Sequence, residues 1–225
     1  TYMPGLQILN ARLEAESRIK LLPYYTSAFG VGTGLSFFLM GWVYTYTSWQ
    51  NAFLLAAIFS LIAAFLITLT IRPAPPAQAE NSARRHPLDF RPAFKNKAAL
   101  GYIFAYGAHN FELFAYRGWL FAYLIFAAGT YQISINAASL STLISIFAII
   151  GMSASIIGAS FCLRYPRART ISRFGALSAL TAILFGLSGF IDFYLILVLA
   201  LLFNITIMLD SASLTAGTVS AASEH

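Results

Sequence analysis

The sequence predicts an all-α polytopic membrane protein, and three observations carry that prediction. The chain is 59% hydrophobic and only 10% charged, with a mean hydropathy of +0.72. Its apolar residues gather into six long runs, and all but one of its cations lie in stretches before or between them, at alternate breaks. Soluble domains carry about 25% charged residues, and a soluble fold could not bury this much apolar surface.

A bilayer core takes about 20 mostly apolar residues as helix. Runs of that kind lie near Leu21–Tyr46, Gln50–Ile71, Ala98–Ala128, Ile135–Leu163, Phe174–Ile191 and Phe193–Ala216. The fifth is the shortest, and little more than Asp192 divides it from the sixth. Those two are therefore expected to form a tight helical hairpin.

Of the 14 Lys and Arg residues, all but Arg117 fall in three stretches: Arg12 to Lys20, Arg72 to Lys97 and Arg164 to Arg173. The breaks at Ser48 to Asn51, Gly129 to Asn136 and Gly189 to Asp192 hold none. Such alternation places the basic stretches on the cytoplasmic side, so the first helix runs outward and the tail after Ala216 ends inside. The net charge of +6 sits beside membrane exits rather than on one binding face, which points to anionic lipid headgroups and not to nucleic acid. The lone cysteine, Cys162, excludes an internal disulfide and reads as a small apolar helix residue.

Pro73, Pro75, Pro76, Pro87 and Pro92 share the stretch 72–97 with six cations, making it a solvated linker and the best domain boundary in the chain. The chain opens on Thr1-Tyr2-Met3-Pro4-Gly5, without an initiator methionine or signal peptide, and closes soon after a membrane exit. Both ends read as those of an internal piece of a longer polypeptide.

A charge at the bilayer centre costs about 2.5 to 3.5 kcal/mol on translocon scales, so each one requires an account. The third run holds His109, Glu112 and Arg117. At about 100° per residue, Tyr102, Tyr106, His109, Asn110, Glu112, Tyr116, Arg117 and Tyr123 share an arc of about 160°, while Phe104, Phe111, Phe114 and Phe121 take the opposite side. Glu112 and Arg117 stand about 140° apart on the flanks of that arc, which favours partners on other helices, or a substrate, over a pair within the helix. Arg117 stays charged at any accessible pH and needs an anion or water beside it. Structural salt bridges between helices and substrate or proton handling are both open to these groups. In the sixth run Asp210 shares a face with Thr206, Ser213 and Gly217, and Asn204 sits apart on another face. A water-exposed aspartate at a helix end is the plainer alternative for Asp210.

Gly30, Gly32, Gly34, Ser36 and Gly41 in the first run, and Gly151, Ser155, Gly158 and Ala159 in the fourth, mark close helix packing. His109-Asn110-Phe111-Glu112 lacks the second histidine of a zinc-binding H-E-x-x-H, and neither a phosphate-binding glycine loop nor a G-x-S-x-G is present. The expectation is therefore not an enzyme, with no metal and no cofactor.

Several segments resemble the major facilitator superfamily, in particular its bacterial efflux-type members with twelve helices. Arg18 followed by Tyr24 to Gly32 is similar to the entry of that family's fifth helix, and Trp49-Gln50-Asn51-Ala52-Phe53 to the opening of its sixth. Arg164-Tyr165-Pro166-Arg167 resembles a degenerate R-x-G-R between helices eight and nine. Gly101 to Arg117 looks like a seventh-helix signature of one bacterial branch, and Asp210-Ser211-Ala212 with Thr215-Ala216-Gly217 looks like its tenth. The antiporter glycine–proline pattern of helix five would fall on Gly32, Ser36, Phe37, Met40 and Gly41, with its proline lost, so uniport and symport stay open beside antiport.

The resemblance implies two six-helix bundles rocking about a central site, with helices seven and ten among those lining it. Residues 1–71 would close an N-terminal bundle, 72–97 would be the cytoplasmic linker, and 98–225 would begin a C-terminal bundle. The expected function is a multi-pass inner or plasma membrane secondary transporter that moves a small molecule by alternating access, with proton-coupled efflux as one mode. Glu112, with His109 or Asp210, would respond to protons, and Arg117 would hold an anionic substrate or the counter-charge. Tyr106, Asn110 and Tyr116 complete the expected pathway. The alternative is a non-transporting scaffold or sensor whose buried charges only fix helix pairing.

Overall fold

The computed structural model describes residue 5 and residues 15–70, 94–189 and 191–223. Six helices follow one another: α1 (Ala15–Tyr46), α2 (Trp49–Thr70), α3 (Lys97–Thr130), α4 (Ala137–Arg164), α5 (Arg167–Ser188) and α6 (Phe193–Ser223). Each contains a stretch long and apolar enough to cross a membrane. The linker expected at 72–97 lies outside the described residues as far as residue 93, as does most of the chain before Ala15.

Helix ends are set by side chains that take up orphan backbone amides. Asn96 accepts from the Ala99 amide at 3.0 Å and donates to the Ala221 carbonyl at 2.8 Å, tying the start of α3 to the end of α6. Asn136 caps α4 through the Ser139 amide at 2.8 Å. Asp192 accepts from the Tyr194 and Leu195 amides at 2.8 and 3.1 Å, so this carboxylate opens α6.

Two boundaries depart from the sequence reading. α5 starts at Arg167 rather than Phe174, directly after Pro166. Its first turns carry Arg167, Arg169 and Arg173, which depress hydropathy without opposing a helix, because long cationic stems extend toward the interface. α6 continues past Ala216 to Ser223, with Gly217 set against Tyr102 of α3 and the buried Ala221 bonded through its carbonyl to Asn96.

α6 is the hub of the bundle, packed against α3, α4 and α5, while α1 lies along α4. Leu124, Leu140, Ile196, Ile207 and Leu214 are fully enclosed at these crossings. α2 packs chiefly on α1 and buries none of its residues. On α3, Phe104, Phe111 and Phe114 lie on the outside. Phe121, expected beside them, packs against the core instead.

Lipid offers apolar helices no hydrophobic reason to associate, so contact rests on small residues and hydrogen bonds. Along α1, a Cβ on Gly34 would come 3.3 Å from the Ser145 carbonyl, and one on Gly30 would come 3.3 Å from Met152 Cβ. The buried Ser145 hydroxyl donates to the Gly34 carbonyl at 2.7 Å across the same seam. Gly32 departs from the expected pattern: a Cβ there would meet nothing within 4 Å. Between α4 and α6, a Cβ on Gly158 would overlap the Leu209 carbonyl. Asn204, set apart in the sequence, donates to the Phe147 carbonyl at 2.6 Å and lies over Gly151.

Candidate functional site

The polar arc of α3 fans out over three neighbouring helices, and each of its ionisable groups meets a different one. His109, at the middle of the arc, faces α6: its Nδ1 lies 2.8 Å from Asp210 Oδ1, with the two side chains 3% and 13% exposed. Glu112, on one flank, turns to α5, where Oε1 accepts a hydrogen bond from the Ser178 hydroxyl at 2.7 Å. Arg117, on the other flank, turns to α1. One of its guanidinium nitrogens lies 3.5 Å from Thr33 Oγ1, and its centre sits 5.2 Å from the centroid of the Phe29 ring. The separation of Glu112 and Arg117 follows from helical geometry, since five residues rotate their side chains about 140° apart.

The remaining polar residues of the arc are anchored by backbone. Tyr116 donates to the Ala200 carbonyl of α6 at 2.8 Å. Asn110 donates to the Tyr106 carbonyl one turn back at 2.9 Å, and the Tyr106 ring stacks near His109 with centroids 6.2 Å apart. Tyr102 fits over Gly217 of α6, where a Cβ would overlap its ring. On α6, Thr206 shares a 2.7 Å hydrogen bond with Thr181 of α5, so of the α6 face singled out in the sequence only Asp210 reaches an ionisable partner on α3.

His109 lines a cavity of about 170 Å³ among α1, α3, α4 and α6. Phe29 and Gly30 form its α1 wall, Tyr106 and Asn110 flank the histidine, and Met152, Ser155, Met208 and Ser211 close the other side. Glu112 and Arg117 are not part of that lining. Glu112 borders an apolar groove between α3 and α5, beside Phe111, Trp119 and Phe185. Arg117 borders a small gap with Thr33, Phe37 and Asn204.

Asp210 is therefore an enclosed group held by His109 and not a solvated helix end, which the extension of α6 beyond it explains. Ser178, Thr33 and Phe29 are the partners that sequence reasoning missed. Serine and threonine inside apolar helices are frequent, and nothing in their spacing marks the few that meet a charge. Among the described residues no cluster of three or more His, Cys, Asp or Glu side chains could hold a metal ion. Cys162 is buried beside Ile171 and Leu214 as an apolar packing residue.

A search of curated proteins and a search of solved structures found no match. The family model described as Major Facilitator Superfamily matches residues 1–225. With six helices of membrane-crossing length and a match that runs from end to end, the chain is a multi-pass membrane protein that belongs to the Major Facilitator Superfamily, a family of membrane transporters of small molecules.

Proposed function

We propose that this protein is a secondary transporter that moves a small molecule by alternating access, with proton movement coupled through the His109–Asp210 pair. One observation carries the proposal: the pair joins α3 to α6 at 2.8 Å while its histidine lines a cavity that α1 and α4 also bound. A histidine–carboxylate contact is an ion pair only while the imidazole is protonated, so gaining or losing one proton changes the attraction between the two helices. Buried ionisable groups within membrane spans are expensive and belong by default to ion or substrate pathways.

In this reading α1 and α2 end the first bundle and α3 to α6 begin the second, with the boundary at 72–97. The α1–α4 seam is then a contact between bundles, and its small residues allow one to rock on the other. Glu112 stood first among the sequence candidates. Because it faces Ser178 of α5 instead of the cavity, the pair takes the leading role and Glu112 a supporting one. Arg117, outside the cavity lining beside Phe29 and Thr33, supplies the counter-charge. The bacterial efflux-type resemblance favours export across an inner or plasma membrane.

The test is proton movement in proteoliposomes that hold the full chain and an internal pH dye, challenged with a panel of small solutes under an imposed pH gradient. A transporter of this kind gives solute-dependent proton flux. No flux with any solute, from protein shown to be folded and inserted, would support the scaffold alternative.

A further inference from the structure

We propose that the His109 cavity binds a small, uncharged, single-ring ligand that carries one hydroxyl or N–H donor, held between aromatic and thioether walls and hydrogen-bonded to the imidazole. This names a substrate class for the transport site proposed above and rests on that reading.

Size sets the first limit. A cavity of about 150 Å³ lined by apolar side chains accommodates benzene. The His109 cavity, at about 170 Å³, has room for one six-membered ring and a substituent of one or two atoms. The walls set the second. Phe29, Tyr106 and Phe114 present rings, and Met152 and Met208 present sulfur, surfaces that favour a flat π-system over an aliphatic chain or a sugar.

Charge sets the third limit. Apart from the Tyr106 phenol, His109 is the only ionisable side chain in the lining among the described residues. Asp210 lies behind His109 Nδ1, Glu112 is turned to Ser178 of α5, and Arg117 lies at the Phe29 ring and Thr33 on α1, all three outside the described lining. A charged ligand would find no free counter-ion, and an unpaired charge in such a site is costly. An uncharged ligand avoids that cost.

Hydrogen bonding sets the fourth. Asp210 Oδ1, 2.8 Å from Nδ1, favours the neutral tautomer with its proton on Nδ1, in which Nε2 is an acceptor left to a ligand. Asn110 donates one amide hydrogen to the Tyr106 carbonyl, which leaves its side-chain oxygen as a second acceptor and one N–H as a donor. The Ser155 and Ser211 hydroxyls make no hydrogen bond among the described residues and complete the polar edge. A ring bearing one hydroxyl can donate to Nε2 and accept from one of these N–H or O–H groups, whereas a bare hydrocarbon pairs with none of them.

The experiment is saturation-transfer NMR on the full chain in nanodiscs, with phenol, toluene, benzoate and benzylammonium as probes. Ser155→Phe, which fills the cavity, is the reference that subtracts partition into lipid. Phenol is expected to bind at least about tenfold more tightly than any of the other three, to lose its signal in Ser155→Phe, and to fall level with toluene in His109→Phe. Tighter binding of either ion, a phenol signal unchanged in Ser155→Phe, or an undiminished phenol preference in His109→Phe overturns the proposal. It fails separately from the transport reading. If phenol behaves as expected but His109→Gln still moves protons, the site stands without the coupling role. If His109→Gln stops proton movement but phenol shows no preference, the coupling role stands without this ligand class.

Discussion

Asp210 Oδ1 of α6 lies 2.8 Å from His109 Nδ1 of α3, and both side chains are largely enclosed in the bundle. α3 and α6 are thereby joined at mid-bundle by two groups that both take up protons. Above and below them the same two helices are fixed by neutral contacts, Tyr116 on the Ala200 carbonyl and Asn96 on the Ala221 carbonyl. Only the central contact can change with protonation.

A pair enclosed in this way leaves an uncompensated polar group when one member is removed. Asp210→Ala is expected to lower stability by about 3 kcal/mol or more, and the double replacement His109→Leu with Asp210→Leu to recover most of that loss. Thermal unfolding in detergent across the full mutant cycle measures the coupling. Additive losses would show that the two side chains do not depend on one another.

The α4–α6 crossing has no room for a side chain at Gly158, where the obstruction is the Leu209 backbone and not a movable side chain. Gly158→Ala should cost about 1 to 3 kcal/mol through overpacking. Gly175→Ala on α5, where a Cβ meets nothing within 4 Å, should be neutral or slightly stabilising. Comparing the two melting temperatures checks the crossing directly.

Across the α1–α4 seam, Ser145→Ala removes the donor to the Gly34 carbonyl. Hydrogen bonds between membrane helices average about 0.6 kcal/mol and reach about 1.7, so a loss within that range is expected in an unfolding titration. If this seam is where two bundles rock, the variant also changes the rate of transport more than its apparent affinity for solute.

Arg117 has only the Thr33 hydroxyl at 3.5 Å and the Phe29 ring as partners among the described residues. A charge so poorly compensated within a membrane span is kept at a cost to stability. Arg117→Met should therefore leave the melting temperature unchanged or higher while transport falls. A clear drop in melting temperature would instead mark Arg117 as a structural group.

Much of the fold was legible in the sequence because the bilayer imposes a length and a composition that hydropathy reads directly. The basic stretches then order the spans. Where structure and reading differ, composition and conformation part: Arg167, Arg169 and Arg173 are helical despite their charge, and α6 runs past Ala216 where Gly217 and Ala221 meet Tyr102 and Asn96. Of the candidate site, the α3 arc was visible from its angles, and His109, Glu112, Arg117 and Asp210 were all identifiable as costly residues. Which of them meet was not visible. That depends on the rotation of α5, α6 and α1 around α3, and the residues that answer Glu112 and Arg117, namely Ser178, Thr33 and Phe29, carry no mark of their role.

If the His109–Asp210 pair couples protons to transport, Asp210→Asn and Glu112→Gln should differ sharply in solute-dependent proton flux. Both substitutions keep size and an accepting oxygen, and glutamine at 112 can still accept from Ser178. Solute-dependent proton flux should fall by about a hundredfold or more in Asp210→Asn, as removal of an essential acid–base group does, and by less than about tenfold in Glu112→Gln, with both proteins inserted at wild-type levels. Full flux in Asp210→Asn would contradict the account.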